Sequence, residues 1–167
     1  MPTPAPFPTS PDAPLPDLLD PQVRAQLSGA LPAVLRMLDA WKLTRAQQAR
    51  LLILSPRTIL RVSQGESLPR LNQDQLTRMS LITGIYAALH IVYGGPVADG
   101  WVKQPNHRPP FNGWAPLSLL LVGGIPWLLS VRRLLDADRS GQFSSSAEAR
   151  LEARSLQQPD IHLPDDL

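Results

Sequence analysis

Apolar side chains recur at three- and four-residue steps through Leu27, Leu31, Val34, Leu35, Leu38 and Trp41, which predicts a first amphipathic helix. Polar residues then punctuate the pattern. Thr44-Arg45-Ala46-Gln47 reads as a capping box, with Thr44 placed to cap and Gln47 placed to reach back, and the helix it opens ends near Leu54. Ser55-Pro56 supplies a second N-cap with proline in the first turn, and Gly65 supplies a left-handed closing residue. Two helices of about ten residues joined by a minimal turn are the geometry of a helix-turn-helix. Two longer apolar stretches follow, Leu81 to Tyr93 and Pro116 to Val131, the second interrupted by Gly123-Gly124 and Pro126. Nothing alternates with a period of two, so the expectation is an all-α chain.

The faces of the helix after Ser55 suggest a task. Ile59 and Val62 point one way, toward Ala49 and Leu52 or Ile53. Arg57, Arg61 and Gln64 recur at i, i+4 and i+7 on another side, with Thr58 beside them. At 1.5 Å per residue they span about 10 Å, enough to address a few base pairs. Arginine pairs with guanine, glutamine with adenine, and a helix N-terminus meets a phosphate. An ordinary helical hairpin with a charged outer surface has the same pattern.

Charge adds weight to the first reading. Residues 42–78 carry seven basic and two acidic side chains, a sum of +5 within a whole-chain charge of +2. Residues 1–41 sum to −2, 99–139 to +2 and 140–167 to −3. Positive charge is therefore densest where the helix-turn-helix falls, as phosphate contact requires.

Composition narrows the chemistry. With 167 residues and an apolar fraction of 43%, the chain is long enough for one domain or two small ones with a real core. The absence of cysteine excludes disulfides and thiolate chemistry. His90, His107 and His162 lack metal-ligand spacing, and no nucleophile, base and orienting acid converge, so neither a metal, a cofactor nor an enzymatic activity is expected. The apolar stretches span 13 and 16 residues, short of the roughly 20 that cross a bilayer. They read as core helices or as surfaces buried against a second subunit. Eight of the 19 prolines lie in the first 21 residues, which predicts an extended, disordered N-terminal tail without the features of a signal peptide. The C-terminal tail is acidic, with a short polar helix conceivable over residues 147–157. Between the apolar stretches, Gly94 to Trp114 reads as a loop with two tryptophans and four prolines, of the kind that anchors a partner or packs over a core.

The order of residues in the second half resembles a known family. Arg78, Ile85-Tyr86 with Leu89, Trp101 with Pro105-Asn106, Gly113, Pro116-Leu117, Gly124 and Val131-Arg132 with Leu135-Asp136 resemble the toxin-binding domain of Xre/MbcA/ParS-type antitoxins. Ahead of it, Trp41-Lys42-Leu43-Thr44, Leu51-Leu52, Ser55-Pro56-Arg57-Thr58 and Gly65 are similar to the Xre-like helix-turn-helix. The resemblance implies an antitoxin of a type II toxin–antitoxin module, in the cytoplasm, with no chemistry of its own. Its implied partner is a RES-domain toxin that degrades NAD, or a related ADP-ribosyltransferase, whose active-site cleft the antitoxin covers. It also implies a homodimer that binds its own promoter.

The expected division is a tail over 1–24, an Xre-like helix-turn-helix domain over 25–71, a toxin-binding domain over 72–141 and an acidic tail over 142–167. The candidate DNA contacts are Arg45, Ser55, Arg57, Thr58, Arg61 and Gln64. The candidate toxin contacts are Trp101, Pro105, Asn106, Gly113, Leu117, Arg132 and Arg133. The acidic tail is suited by its −3 balance to reach a basic cleft of the toxin. Family members often carry glycine in the turn and tryptophan in the recognition helix, where Leu54 and Val62 stand here, so the turn is expected to be strained or reshaped at Leu54. The competing reading is a stand-alone helix-turn-helix regulator of transcription.

Overall fold

The first amphipathic pattern is realised as two helices rather than one. In the computed structural model, which describes residues 19–139, α1 (Pro21–Ser28) and α2 (Leu31–Ala40) meet at Gly29-Ala30. Pro32 accounts for the break: in a continuous helix its ring would collide with the carbonyl of Ser28, so α1 stops there and Pro32 falls in the first turn of α2, where its missing N–H is not needed. The expected C-terminal tail with its polar helix of residues 147–157 lies outside the described residues, as does the N-terminal tail up to residue 18, while Pro21 to Arg24, expected in that tail, open α1.

Helix α2 closes with Lys42 in the left-handed region at φ 55°, a position glycine usually takes. Lys42 N donates to Asp39 O at 2.8 Å and Leu43 N to Leu38 O at 3.1 Å, the paired bonds of a Schellman closure. Helix α3 (Arg45–Leu52) opens with the expected capping box: Thr44 Oγ1 accepts from Gln47 N at 3.2 Å, and Gln47 Oε1 accepts from Thr44 N at 2.9 Å. Helix α4 (Pro56–Ser63) opens on Ser55, whose Oγ accepts from Thr58 N at 3.0 Å. It closes through Gly65 at φ 78°, with Glu66 N donating to Arg61 O at 3.0 Å. The strain expected at Leu54 falls one residue earlier, on Ile53 at φ 50°, while Leu54 turns partly into the core.

Helix α5 (Gln73–Val92) begins eight residues before the apolar stretch that announced it, because Asn72 and Gln75 form a second reciprocal capping box at 2.9 Å each way. It buries Leu76, Met79, Ile82, Ile85, Ala88 and Leu89, and it packs against α1, α2, α3, α6 and α7. The expected loop from Gly94 contains a short helix, α6 (Gly95–Trp101), started by Gly94 at φ 67° and Pro96.

Helix α7 (Pro116–Arg139) runs 24 residues but turns sharply at Gly124, where φ is 62° and ψ −151°. Pro126 therefore sits in the first turn of the second segment and costs no hydrogen bond. By length and composition α7 is apolar enough to cross a membrane. The kink interrupts any straight span, and Leu117, Leu120, Leu128, Val131, Leu134 and Leu135 are buried in the protein.

Among the described residues every regular element is helical. One hydrophobic cluster runs from Leu31 to Leu135, so the core is continuous across residue 71, with Trp41 and Phe111 its largest fully buried side chains. Polar links reinforce the continuity. Arg50 Nε donates to Leu121 O at 2.8 Å, Gln75 Nε2 to Ile53 O at 2.8 Å, and Lys103 Nζ to Lys42 O.

Candidate nucleic-acid and partner interfaces

The helix-turn-helix is held from within. Ile59 and Val62 are buried, as are Ala49 and Leu52, whereas Ile53 is 53% exposed and takes no part in that packing. Gln48, buried in α3, donates from Nε2 to Asp39 Oδ1 at 2.7 Å and to Leu43 O at 3.2 Å, fixing α3 on the end of α2. This leaves the first turn of α4 presented outward. Ser55 Oγ and Thr58 Oγ1 lie 2.8 Å apart there, both already engaged in the cap.

Arg45, Ser55, Arg57, Arg61 and Gln64 are exposed and Thr58 is half-buried. Arg45 and Arg57 form no ion pair among the described residues. Arg61 is engaged, with Nε 2.6 Å from Glu66 Oε2. Such an exposed pair is worth only about 0–1 kcal/mol and yields readily to a phosphate. Gln64 lies just past the helix as its C-cap. The +5 of residues 42–78 overstates the positive surface. Arg78 is 8% exposed and bound to Asp74 and to Leu51 O, and Arg50 is committed to Leu121 O.

The segment joining α6 to α7 is a rigid scaffold. Leu117 N donates to Val102 O at 2.8 Å, Gly113 N to Asn106 O at 2.8 Å, and Asn106 N to Trp114 O at 3.2 Å. Asn106 Oδ1 accepts from Arg108 N at 3.0 Å, a local turn closed by the side chain. Gly113 takes φ 93°, where an L side chain would be strained. Trp101 stacks on Tyr93 at 6.3 Å between ring centroids and meets Phe111 edge-on at 5.6 Å. Trp101 and the buried Leu117 therefore hold the loop from beneath.

Of the candidate toxin contacts, Pro105 and Arg133 are exposed. Arg132 is half-buried, its Nε 2.8 Å from Asp136 Oδ2, and its guanidinium lies across Gly84, where a Cβ would fall 2.0 Å from Nη1. Two features escaped the sequence reading. Trp114 stands 65% exposed on the pinned loop, and only its residue type in a proline-rich loop hinted at this. Arg108 makes a bidentate pair with Asp138, 2.8 Å on each arm, across thirty residues of sequence that give no signal. The Asp138 bonds raise the Arg108 guanidinium pKa above its ordinary value. This clamp ties the loop to the last turns of α7.

Residues 19–84 match the family model of the antitoxin Xre-like helix-turn-helix domain. The chain is also 33% identical over 120 residues to the uncharacterized protein y4oB of Sinorhizobium fredii, covering 70% of this chain and 89% of that one. The chain carries an antitoxin Xre-like helix-turn-helix domain and belongs to one family with y4oB. Its family domain runs past residue 71 into the middle of α5, in keeping with a core that does not stop at the end of the helix-turn-helix. The likeness to y4oB is longer than that domain and extends into the remaining helices. No solved structure matches the chain. The helix-turn-helix stands here on the same body as the exposed loop that carries Trp114.

Proposed function

We propose that this chain is the antitoxin of a type II toxin–antitoxin module whose toxin is a RES-type NAD-degrading, or related ADP-ribosylating, enzyme. In this reading Pro105, Trp114 and Arg133 face the toxin and occlude its active-site cleft, and the antitoxin performs no chemistry itself. Arg57, with Arg45, Arg61 and Gln64, meets the operator, and two chains read paired half-sites.

The observation that carries the reading is Trp114. An exposed tryptophan on a loop fastened by backbone hydrogen bonds and by the Arg108–Asp138 clamp is pre-organised for a protein partner, and preorganisation lowers the cost of binding.

Co-expression with the product of the adjacent gene, followed by affinity capture and NAD quantification, tests the proposal. The expected result is a stable complex, with cellular NAD depleted by the neighbour alone and preserved when both are made. A complex with NAD unaffected in either case would reject the NAD chemistry while keeping the antitoxin. Absence of any complex would leave a regulator of transcription.

A further inference from the structure

Beside the chain leaving α4 is a cleft that neither interface uses. It lies between α1 and the approach to α5, encloses about 240 Å3, and is lined chiefly by Pro21, Arg24, Ala25, Leu68, Pro69 and Arg70. That volume falls below the roughly 300–1,000 Å3 of small-molecule pockets and suits one or two amino-acid side chains.

Its chemistry is specific. Arg24 Nε is closed off from solvent and has no hydrogen-bond partner. Arg70 is exposed and enters no ion pair among the described residues. Ser28, also on the lining, is already satisfied by Arg24 O at 2.7 Å. Two arginines and no carboxylate line the cleft, so it is complementary to an anionic group. The remaining walls are apolar, with Leu68 44% exposed. Such a cleft asks for carboxylates interleaved with apolar side chains. A nucleic-acid backbone offers the anion but nothing for Leu68 and the two prolines.

The chain carries such a segment. Residues 159–167 read Pro-Asp-Ile-His-Leu-Pro-Asp-Asp-Leu, with three aspartates, no lysine or arginine, and isoleucine, leucine and proline between them. Some twenty residues separate it from the end of α7, a reach of about 70 Å when extended. A body of 121 residues is about 35 Å across, so every surface is accessible to it. We propose that residues 159–167 dock in this cleft, aspartates on Arg24 and Arg70, apolar side chains on Leu68 and Pro69. Seated there, the segment sets negative charge beside the exit of the recognition helix.

The lack of cysteine allows a clean test on the full chain. Ser155→Cys carries one spin label, and paramagnetic broadening of backbone amides is mapped. Selective broadening at Ala25, Ser28 and Leu68 is expected. It should fall about fivefold in Arg24→Gln/Arg70→Gln, the worth of two partly exposed ion pairs, and likewise as salt rises from about 0.05 to 0.5 M. Should the double variant lose its fold, Asp160→Asn/Asp165→Asn/Asp166→Asn, which alters no described residue, reads the same contact. Broadening spread evenly over the surface, or unchanged by salt and by loss of the carboxylates, overturns the proposal. So does a cleft whose amides respond only when DNA or a partner protein is added.

Discussion

Arg78 stands where three helices meet. From α5 its Nε reaches Asp74 at 2.8 Å, its Nη1 donates to Leu51 O near the end of α3 at 3.2 Å, and Nη2 lies 3.4 Å from where a Cβ would sit on Gly124, at the kink of α7. Replacing it by Met keeps much of the volume but strands a buried carbonyl. Arg78→Met should cost about 3 kcal/mol, read as a lowered urea midpoint with unchanged slope. Ile53 presents the opposite case, a β-branched residue held at φ 50° yet half exposed. Relief of the left-handed strain should outweigh the lost contact, so Ile53→Gly is expected to stabilise by about 0.5–1 kcal/mol. Leu54→Gly should instead destabilise by about 2 kcal/mol, because Leu54 packs on the core. Reversal of that order in thermal melts would return the strained position to Leu54.

At the scale of the element, α4 offers charge in two conditions. Arg57 is unpaired among the described residues and Arg61 is held by Glu66 across 2.6 Å. Arg57→Ala should weaken operator binding and lower the slope of log affinity against log salt by about 0.9, the signature of one lost phosphate contact. Glu66→Gln should tighten binding about two- to fivefold by releasing Arg61. Electrophoretic or anisotropy titrations over a salt series measure both. The start signals of α3, α4 and α5 were legible because each is local: Thr44 with Gln47, Ser55 with Pro56, Asn72 with Gln75. Helix ends were less so. The break after Ser28 depended on Pro32, four residues on, and α6 was hidden in a stretch whose glycines and prolines read as loop.

For the whole molecule, the two tryptophans of the loop separate stability from recognition. Trp101→Ala removes a ring packed between Tyr93 and Phe111 and should cost about 3 kcal/mol of stability. Trp114→Ala should leave the melting curve within about 0.5 kcal/mol of the parent while weakening partner capture by about 2 kcal/mol, roughly thirtyfold. Equal loss of partner binding with no change in stability for both would show that Trp101 is itself a contact. Which tryptophan was exposed could not be read from sequence, since both sit among prolines and polar residues. What separates them is tertiary: Phe111 and Tyr93 close over the ring of Trp101, while the ring of Trp114 stands 65% exposed. The Arg108–Asp138 clamp was illegible for the same reason, two ordinary surface-type residues made partners by the return of α7.

Helix α5 belongs to both halves at once, with α2 and α3 against it as well as α6 and α7. Side chains from each half also satisfy carbonyls of the other: Arg50 on Leu121, Lys103 on Lys42. A gene encoding such a chain cannot acquire a new partner by exchanging its second half for a relative's. The cut would expose the buried face of α5 and orphan those carbonyls. If the proposed partner surface is right, a change of partner is expected first at outward positions such as Pro105, Trp114 and Arg133, and a library confined to those three codons tests it.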